Sequence, residues 1–129
     1  MSEKFTVEII SPDKLVFKSE AIQVTIPCFE GEASILKDHI PLITFLRPGL
    51  IKISNIEEEK FFVEDGTIEF SNNNLLILTS TARRLSEIDK KSLNDLIIDA
   101  EKKINDNKLS DKEKYLLSYR IDTLKSISG

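Results

Sequence analysis

From Phe5 to Ser80 apolar and polar residues alternate with a period of two, and turn formers interrupt the alternation every few residues. That period sends successive side chains to opposite faces of an extended chain, so each run predicts a β-strand with one buried face. In Phe5-Thr6-Val7-Glu8-Ile9 the apolar face carries Phe5, Val7 and Ile9. Ser11-Pro12-Asp13-Lys14 predicts a turn, because Pro12 presets its φ while Ser11 and Asp13 can bond back to the backbone. Further strands are expected over residues 15–18, 21–27, 33–36, 42–46, 50–54, 60–64, 67–71 and 75–80. In the second of these, Ile22, Val24 and Ile26 are expected to face inward. Asn72-Asn73-Asn74 predicts a tight hairpin, since Asn accepts positive φ at low cost. Glu57-Glu58-Glu59 reads as a solvated hairpin tip. About ten short strands at this spacing imply a sandwich or a barrel.

After Thr81-Ala82 the period lengthens. Ser86, with Asp89 three residues on, predicts a helix start. Leu93, Ile97, Ala100 and Ile104 then fall on one stripe of that helix, which Asn105-Asp106-Asn107 ends. Ser110 and Glu113 form a capping box that opens a second helix, with Leu117, Ile121 and Leu124 as its stripe and Leu116 and Ile127 flanking. Two such helices joined by a short polar loop fold antiparallel. The stripes are narrow, so the hairpin is expected to dock loosely and to be able to open. The predicted class is α+β: an antiparallel β-sandwich of about ten strands over residues 1–84, then a helical hairpin over residues 85–129.

Composition narrows the function more than the fold. Charged residues make up 31% of the 129 and hydrophobic ones 40%, which describes a folded, well-solvated chain. Aromatics are 7% with no Trp, too few for a base-stacking platform, and Lys and Arg are nowhere dense enough to track phosphates, so nucleic acid is not an expected partner. Residues 1–82 carry 7 Lys+Arg against 13 Asp+Glu, a net −6; residues 83–129 carry 11 against 9, a net +2. A basic tail on an acidic body can be drawn to an acidic surface. Cys28 is alone, which excludes an intramolecular disulfide and fits a reducing compartment. No apolar run approaches the ~20 residues needed to span a bilayer. Met1-Ser2-Glu3-Lys4 lacks the basic and apolar regions of a secretory leader.

The segment from Glu30 to Gly49 concentrates the unusual residues: the single His39, the rigid Pro41, the Pro48-Gly49 turn and acids on both sides of Gly31. Glu30, Glu32, Asp38 and His39 match no compact metal-ligand spacing, and one imidazole leaves no second for an ordinary zinc site. Cys28 and His39 have no pattern that pairs them as nucleophile and base, and there is no serine elbow. With four glycines, the chain has no phosphate-cradling loop. No catalysis, metal or cofactor is therefore expected. A contact surface is the alternative, with His39-Ile40-Pro41 as a corner stiffened by Pro41 beside the charged turn Glu30-Gly31-Glu32.

This segment resembles a run found in epsilon subunits of F-type ATP synthases, Gly-Glu-x-x-Ile-x-x-x-His-x-Pro-Leu-x-x-x-x-x-Pro-Gly. The match falls on Gly31, Glu32, Ile35, His39, Pro41, Leu42, Pro48 and Gly49. Val7-Glu8-Ile9-Ile10-Ser11-Pro12, Glu69 and Thr81-Ala82 extend the resemblance over nearly the whole length. It implies a noncatalytic rotor subunit bound to gamma and seated on the membrane ring of c subunits, with Glu30, Glu32 and His39 at the polar loops of that ring. It further implies a tail that can extend into the catalytic head of alpha and beta subunits and block hydrolysis, bringing Lys112, Lys114, Arg120 and Lys125 to an acidic segment of beta. The implied location is the cytoplasmic side of a bacterial inner membrane, peripheral and held through the complex. A stand-alone β-sandwich adaptor or ligand-binding module is the alternative.

Three of the family's usual glycines are replaced here, by Ser34, Asp38 and Asp65. Some members bind ATP through Ile-Asp-x-x-Arg-Ala. This chain reads Ile88-Asp89-Lys90-Lys91-Ser92-Leu93, lacking the guanidinium, so no useful ATP binding is expected.

Overall fold

The computed structural model describes residues 3–128. Nine strands lead the chain: β1 (Phe5–Ile10), β2 (Leu15–Ala21), β3 (Gln23–Cys28), β4 (Gly31–Leu36), β5 (Leu42–Phe45), β6 (Gly49–Ser54), β7 (Glu58–Val63), β8 (Thr67–Ser71) and β9 (Asn74–Leu78). A two-residue strand β10 (Arg83–Arg84) and a 3-10 turn (Leu85–Glu87) connect to helices α1 (Lys90–Ile104) and α2 (Asp111–Ser128). One sheet has the order β2-β1-β9-β8-β5, the other β10-β7-β6-β3-β4. All neighbours are antiparallel except β1 and β9, which run parallel.

The period-two reading holds where one face meets the core. Phe5, Val7 and Ile9 of β1, Val24 and Ile26 of β3, Ile51 and Ile53 of β6, and Ile68 and Phe70 of β8 are all buried between the sheets. Phe5 and Phe70 meet there edge to face, with ring centroids 5.6 Å apart. Ile22 departs from expectation and is exposed. It stands where the chain leaves the first sheet after β2 and enters the second at β3, so the parity of one strand does not carry into the next. Ala21, the last residue of β2, is buried instead. The acidic triplet also differs: only Glu57 lies in the β6–β7 connection, while Glu58 and Glu59 belong to β7, where Glu59 pairs with Arg84 at 3.4 Å.

The turns explain how the chain does without three glycines. Asn72 and Asn73 have φ of 51° and 56°, as the hairpin signal required. Asp38 takes φ of 66°, and carboxylate side chains tolerate that region. At Asp65-Gly66 the positive φ falls on Gly66, and a side chain there would collide with the Leu78 carbonyl. Ser34 lies within β4, where extended backbone needs no glycine.

The helices pack against each other and onto the outer face of the second sheet. Phe62, Leu93 and Leu124 are buried together, with Leu50, Leu85, Ile88, Leu96, Ile97 and Ile127 around them. The capping box of α2 is complete: the Ser110 hydroxyl accepts from the Glu113 N–H at 3.1 Å, and a Glu113 carboxylate oxygen accepts from the Ser110 N–H at 3.2 Å. The α1 start differs from expectation. Asp89, not Ser86, is the N-cap, and its carboxylate accepts from the Ser92 N–H at 2.7 Å. The 3-10 turn over Leu85–Glu87 occupies the place where a helix from Ser86 would begin.

Candidate functional site

Glu30 sits in the β3–β4 turn, and Gly31, with φ of 129°, carries the chain out of it. The Thr44 hydroxyl, buried on β5, donates to the Glu30 carboxylate at 3.0 and 3.3 Å. That fixes the direction of an otherwise exposed acid. Glu32 is exposed on β4, opposite Pro27. His39 follows the far end of β4. Its imidazole is half-buried and edge-on to Phe70 at 5.9 Å, with Nδ1 2.6 Å from the Ile40 carbonyl oxygen. Ile40 and Pro41 are exposed. Asp38 and Asn73 hold this loop to the β8–β9 turn: the Asp38 N–H donates to Asn73 Oδ1 at 2.7 Å, and Asn73 Nδ2 donates to Asp38 Oδ1 at 2.9 Å.

The structure therefore does not bring Glu30 and His39 together. A six-residue strand stands between them, roughly 20 Å of extended chain. The same strand separates Cys28 from His39, since Cys28 pairs with Gly31 at the other end of the β3–β4 ladder. Burial, reinforced by Glu30 and partly offset by Arg47, pushes the Cys28 thiol above its ordinary value, as suits a packed side chain rather than a nucleophile. Among the described residues no group of three or more His, Cys, Asp or Glu converges as a metal site.

Sequence reasoning missed a group of exposed apolar side chains. On the outer face of the first sheet, Ile43 is 79% exposed and Phe45 58%. Phe45 pairs with Thr67, Thr67 with Leu78 and Leu78 with Ile10, so apolar residues of β5, β9 and β1 lie along one row that only Thr67 of β8 interrupts, while Ile43 stands beside Glu69. Phe29 joins them at the rim of an open hollow of about 760 Å³ lined by Ile10, Pro12, Phe45 and Leu78. The signal was present: Leu42-Ile43 and Leu75-Leu76-Ile77-Leu78 are apolar at both parities. In a two-sheet sandwich only one parity meets the core, and large apolar side chains gathered on the outer face mark a contact surface.

Three of the four tail cations contact other groups of the chain. Arg120 Nε lies 2.7 Å from Glu64 Oε1, Lys125 pairs with Glu101 of α1 at 3.2 Å, and Lys112 sits 6.0 Å over the Phe29 ring. Lys114 is exposed. Arg47 reaches α2 from the sandwich, its guanidinium 4.0 Å above the Tyr119 ring.

Residues 4–85 match the family model for the ATP synthase delta/epsilon chain β-sandwich domain. The chain belongs to this family. It is 45% identical over 130 residues to the ATP synthase epsilon chain of Pelagibacter ubique (strain HTCC1062), covering 99% of this chain and all of that one. The epsilon chain of Dichelobacter nodosus (strain VCS1703A) is 40% identical over 106 residues, 81% of this chain and 74% of that one. Among solved structures, a chain of the Euglena gracilis mitochondrial ATP synthase OSCP/F1/c-ring complex superposes with TM-score 0.81 at 18% identity, over all of this chain and 84% of that one. A chain of the Tetrahymena thermophila mitochondrial ATP synthase central stalk and c-ring does so at 0.69 and 16%, over 99% and 98%. These distant likenesses extend the shared fold through the helical hairpin.

Proposed function

We propose that this chain is a noncatalytic central-stalk subunit of an F-type ATP synthase that joins gamma to the ring of c subunits during proton-driven ATP synthesis. The observation that carries the reading is the group of apolar residues Ile43, Phe45, Leu78 and Ile10 on the outer face of the first sheet, which suits an interface with another protein. Gamma is the partner assigned to that face. The acidic rim of Glu30 and Glu32 suits polar loops, and these belong to the c ring. His39 reaches the same ring only if the ring lies along the exposed edge formed by β4, because the carboxylates and the imidazole occupy opposite ends of that strand. Among the described residues no helix is long and apolar enough to cross a membrane. Attachment through the complex, on the cytoplasmic side of a bacterial inner membrane, fits that.

The division of labour follows residues 1–84 as the docking body and 85–129 as a regulatory tail. In an extended state Lys112, Lys114, Arg120 and Lys125 would face an acidic segment of beta and restrain hydrolysis; the alternation of states needs only a few kcal/mol of differential contact. No ATP site is assigned.

Purification of the native complex tests the docking role. The chain is expected to come with gamma as a tight pair, and Phe45→Asp to weaken that pair while the isolated chain still folds. A native chain that fails to bind gamma, or that self-associates through residues 86–127 instead, overturns the reading. Removing the residues after Ser86 is expected to raise hydrolysis by the assembled complex; unchanged hydrolysis removes the inhibitory role of the tail.

A further inference from the structure

Besides Lys112 over Phe29, two polar contacts join α2 to the sandwich near the middle of the helix, and both come from the ends of strands. Glu64 directly follows β7 and receives Arg120 at 2.7 Å, with only 14% of the Arg120 side chain and 27% of the Glu64 side chain exposed. Arg47 follows β5 by two residues and covers the ring of Tyr119, the neighbour of Arg120 on the helix. Glu64 is itself positioned by the segment that leads into the tail. Its backbone N–H donates to the Thr81 hydroxyl at 3.0 Å. Thr79 completes that arrangement, donating to the Asp65 carbonyl at 2.7 Å with its hydroxyl 3.0 Å from that of Thr81. The root of the tail and its far helix thus meet at one residue.

The cation held there is also one of the four that the proposed acidic partner would engage, and the most sheltered of those paired with a carboxylate in the compact state. Sheltered charges are weakly screened, and a side chain that must give up one carboxylate to reach another links the two events. We infer that Glu64 and Arg47 form the sandwich half of a latch on α2, in which Glu64 sequesters Arg120 and so sets how often the tail leaves the sandwich. The compact-state contact stands by itself. Its consequence for hydrolysis rests on the reading of the tail as inhibitory.

The latch competes with every external acid for one guanidinium. Weakening Glu64 frees α2 and makes Arg120 available at once, so it favours the extended state twice over. Weakening Arg120 frees α2 but removes the group that would engage the partner. The two halves of one ion pair therefore have opposite effects in the assembled complex, which a merely structural salt bridge would not produce.

Amide hydrogen exchange on the full chain reads the latch directly. Glu64→Gln is expected to speed exchange across α2 by about tenfold while leaving β1 and β9 unchanged. Tyr119→Leu, which keeps the apolar body and loses the ring under Arg47, is expected to act in the same direction. Combining Glu64→Arg with Arg120→Glu should restore protection that each reversal alone removes. Unaltered α2 exchange in both Glu64→Gln and Tyr119→Leu overturns the latch. In the assembled complex, Glu64→Gln is expected to lower hydrolysis and Arg120→Gln to raise it. Faster α2 exchange with hydrolysis untouched by Glu64→Gln supports the latch and overturns the inhibitory role of the tail, so the two ideas fail separately.

Discussion

Strand β7 faces two different interiors with three consecutive residues. Phe61 and Val63 point between the sheets, where they join fifteen other buried residues in one cluster, while Phe62 points outward to the helices, where Leu93 and Leu124 are the other buried members of its cluster. The contrast is what the proposed division into a rigid body and a movable tail requires. A ring in the large cluster is gripped from both sheets, and its loss cannot be absorbed locally. A ring in the small cluster touches an element tied down elsewhere by a few polar contacts, so its loss is absorbed by the hairpin moving away.

Neighbouring substitutions give the sharpest way to break that comparison. Phe61→Ala is expected to cost about 3–5 kcal/mol of global stability, read as a lower urea midpoint for the β-sheet signal. Phe62→Ala removes the same atoms from a site equally closed to solvent. It is expected to leave the sheet transition within about 1 kcal/mol of the parent and to abolish protection in α1 and α2. If the two variants lower the sheet transition equally, the hairpin is an integral layer of the sandwich and the division into body and tail is wrong.

A smaller effect is expected from Leu124→Ala. This side chain is fully buried, yet its partners are Phe62 and the helix α1 face. Large-to-small changes at closed sites cost roughly 2–5 kcal/mol, but an undocking hairpin caps the loss at whatever its docking is worth. The prediction is a sheet transition like that of Phe62→Ala, with α2 released by protease digestion between β10 and α1. A full core-sized loss in the sheet signal would place Leu124 in the main core and sink the comparison.

Legibility in the sequence followed the same division. Strands β1, β3, β6 and β8 could be read because one of their faces meets a continuous apolar interior, and such an interior imposes strict alternation. The Asn72-Asn73 turn and the Ser110–Glu113 box could be read because both are local chemistry, complete within four residues. Ile22 misled because parity carries no information across a change of sheet. Ser86 misled because Ser and Asp at the two ends of the same four-residue stretch are both good caps, and Leu85 and Ile88 packed beside Phe62 favour Asp89. The acidic turn and His39 read as one site because they are close in sequence; an extended strand turns that closeness into separation. Glu64 and Arg120, 56 residues apart, carry no local mark of their pairing at all.

The start of α1 offers the smallest and most local test of how the tail differs from the body. The Asp89 carboxylate accepts the Ser92 N–H, and that hydrogen bond holds its pKa below the ordinary carboxylate value. The sign follows from which form is favoured. A depressed folded value means the cap stabilises the helix fully above the pKa of the unfolded chain, and the contribution is lost as pH falls through the folded value. The first turn of α1 is therefore expected to fray in acid, before any part of the sandwich changes, with the Ser92 amide resonance reporting the titration. Asp89→Ser keeps an oxygen acceptor at the cap but removes the proton equilibrium. The Ser92 resonance should then be flat across the same acidic range. If it still titrates, the charge at Asp89 is not what holds the helix start, and some other carboxylate near the root of the tail governs it.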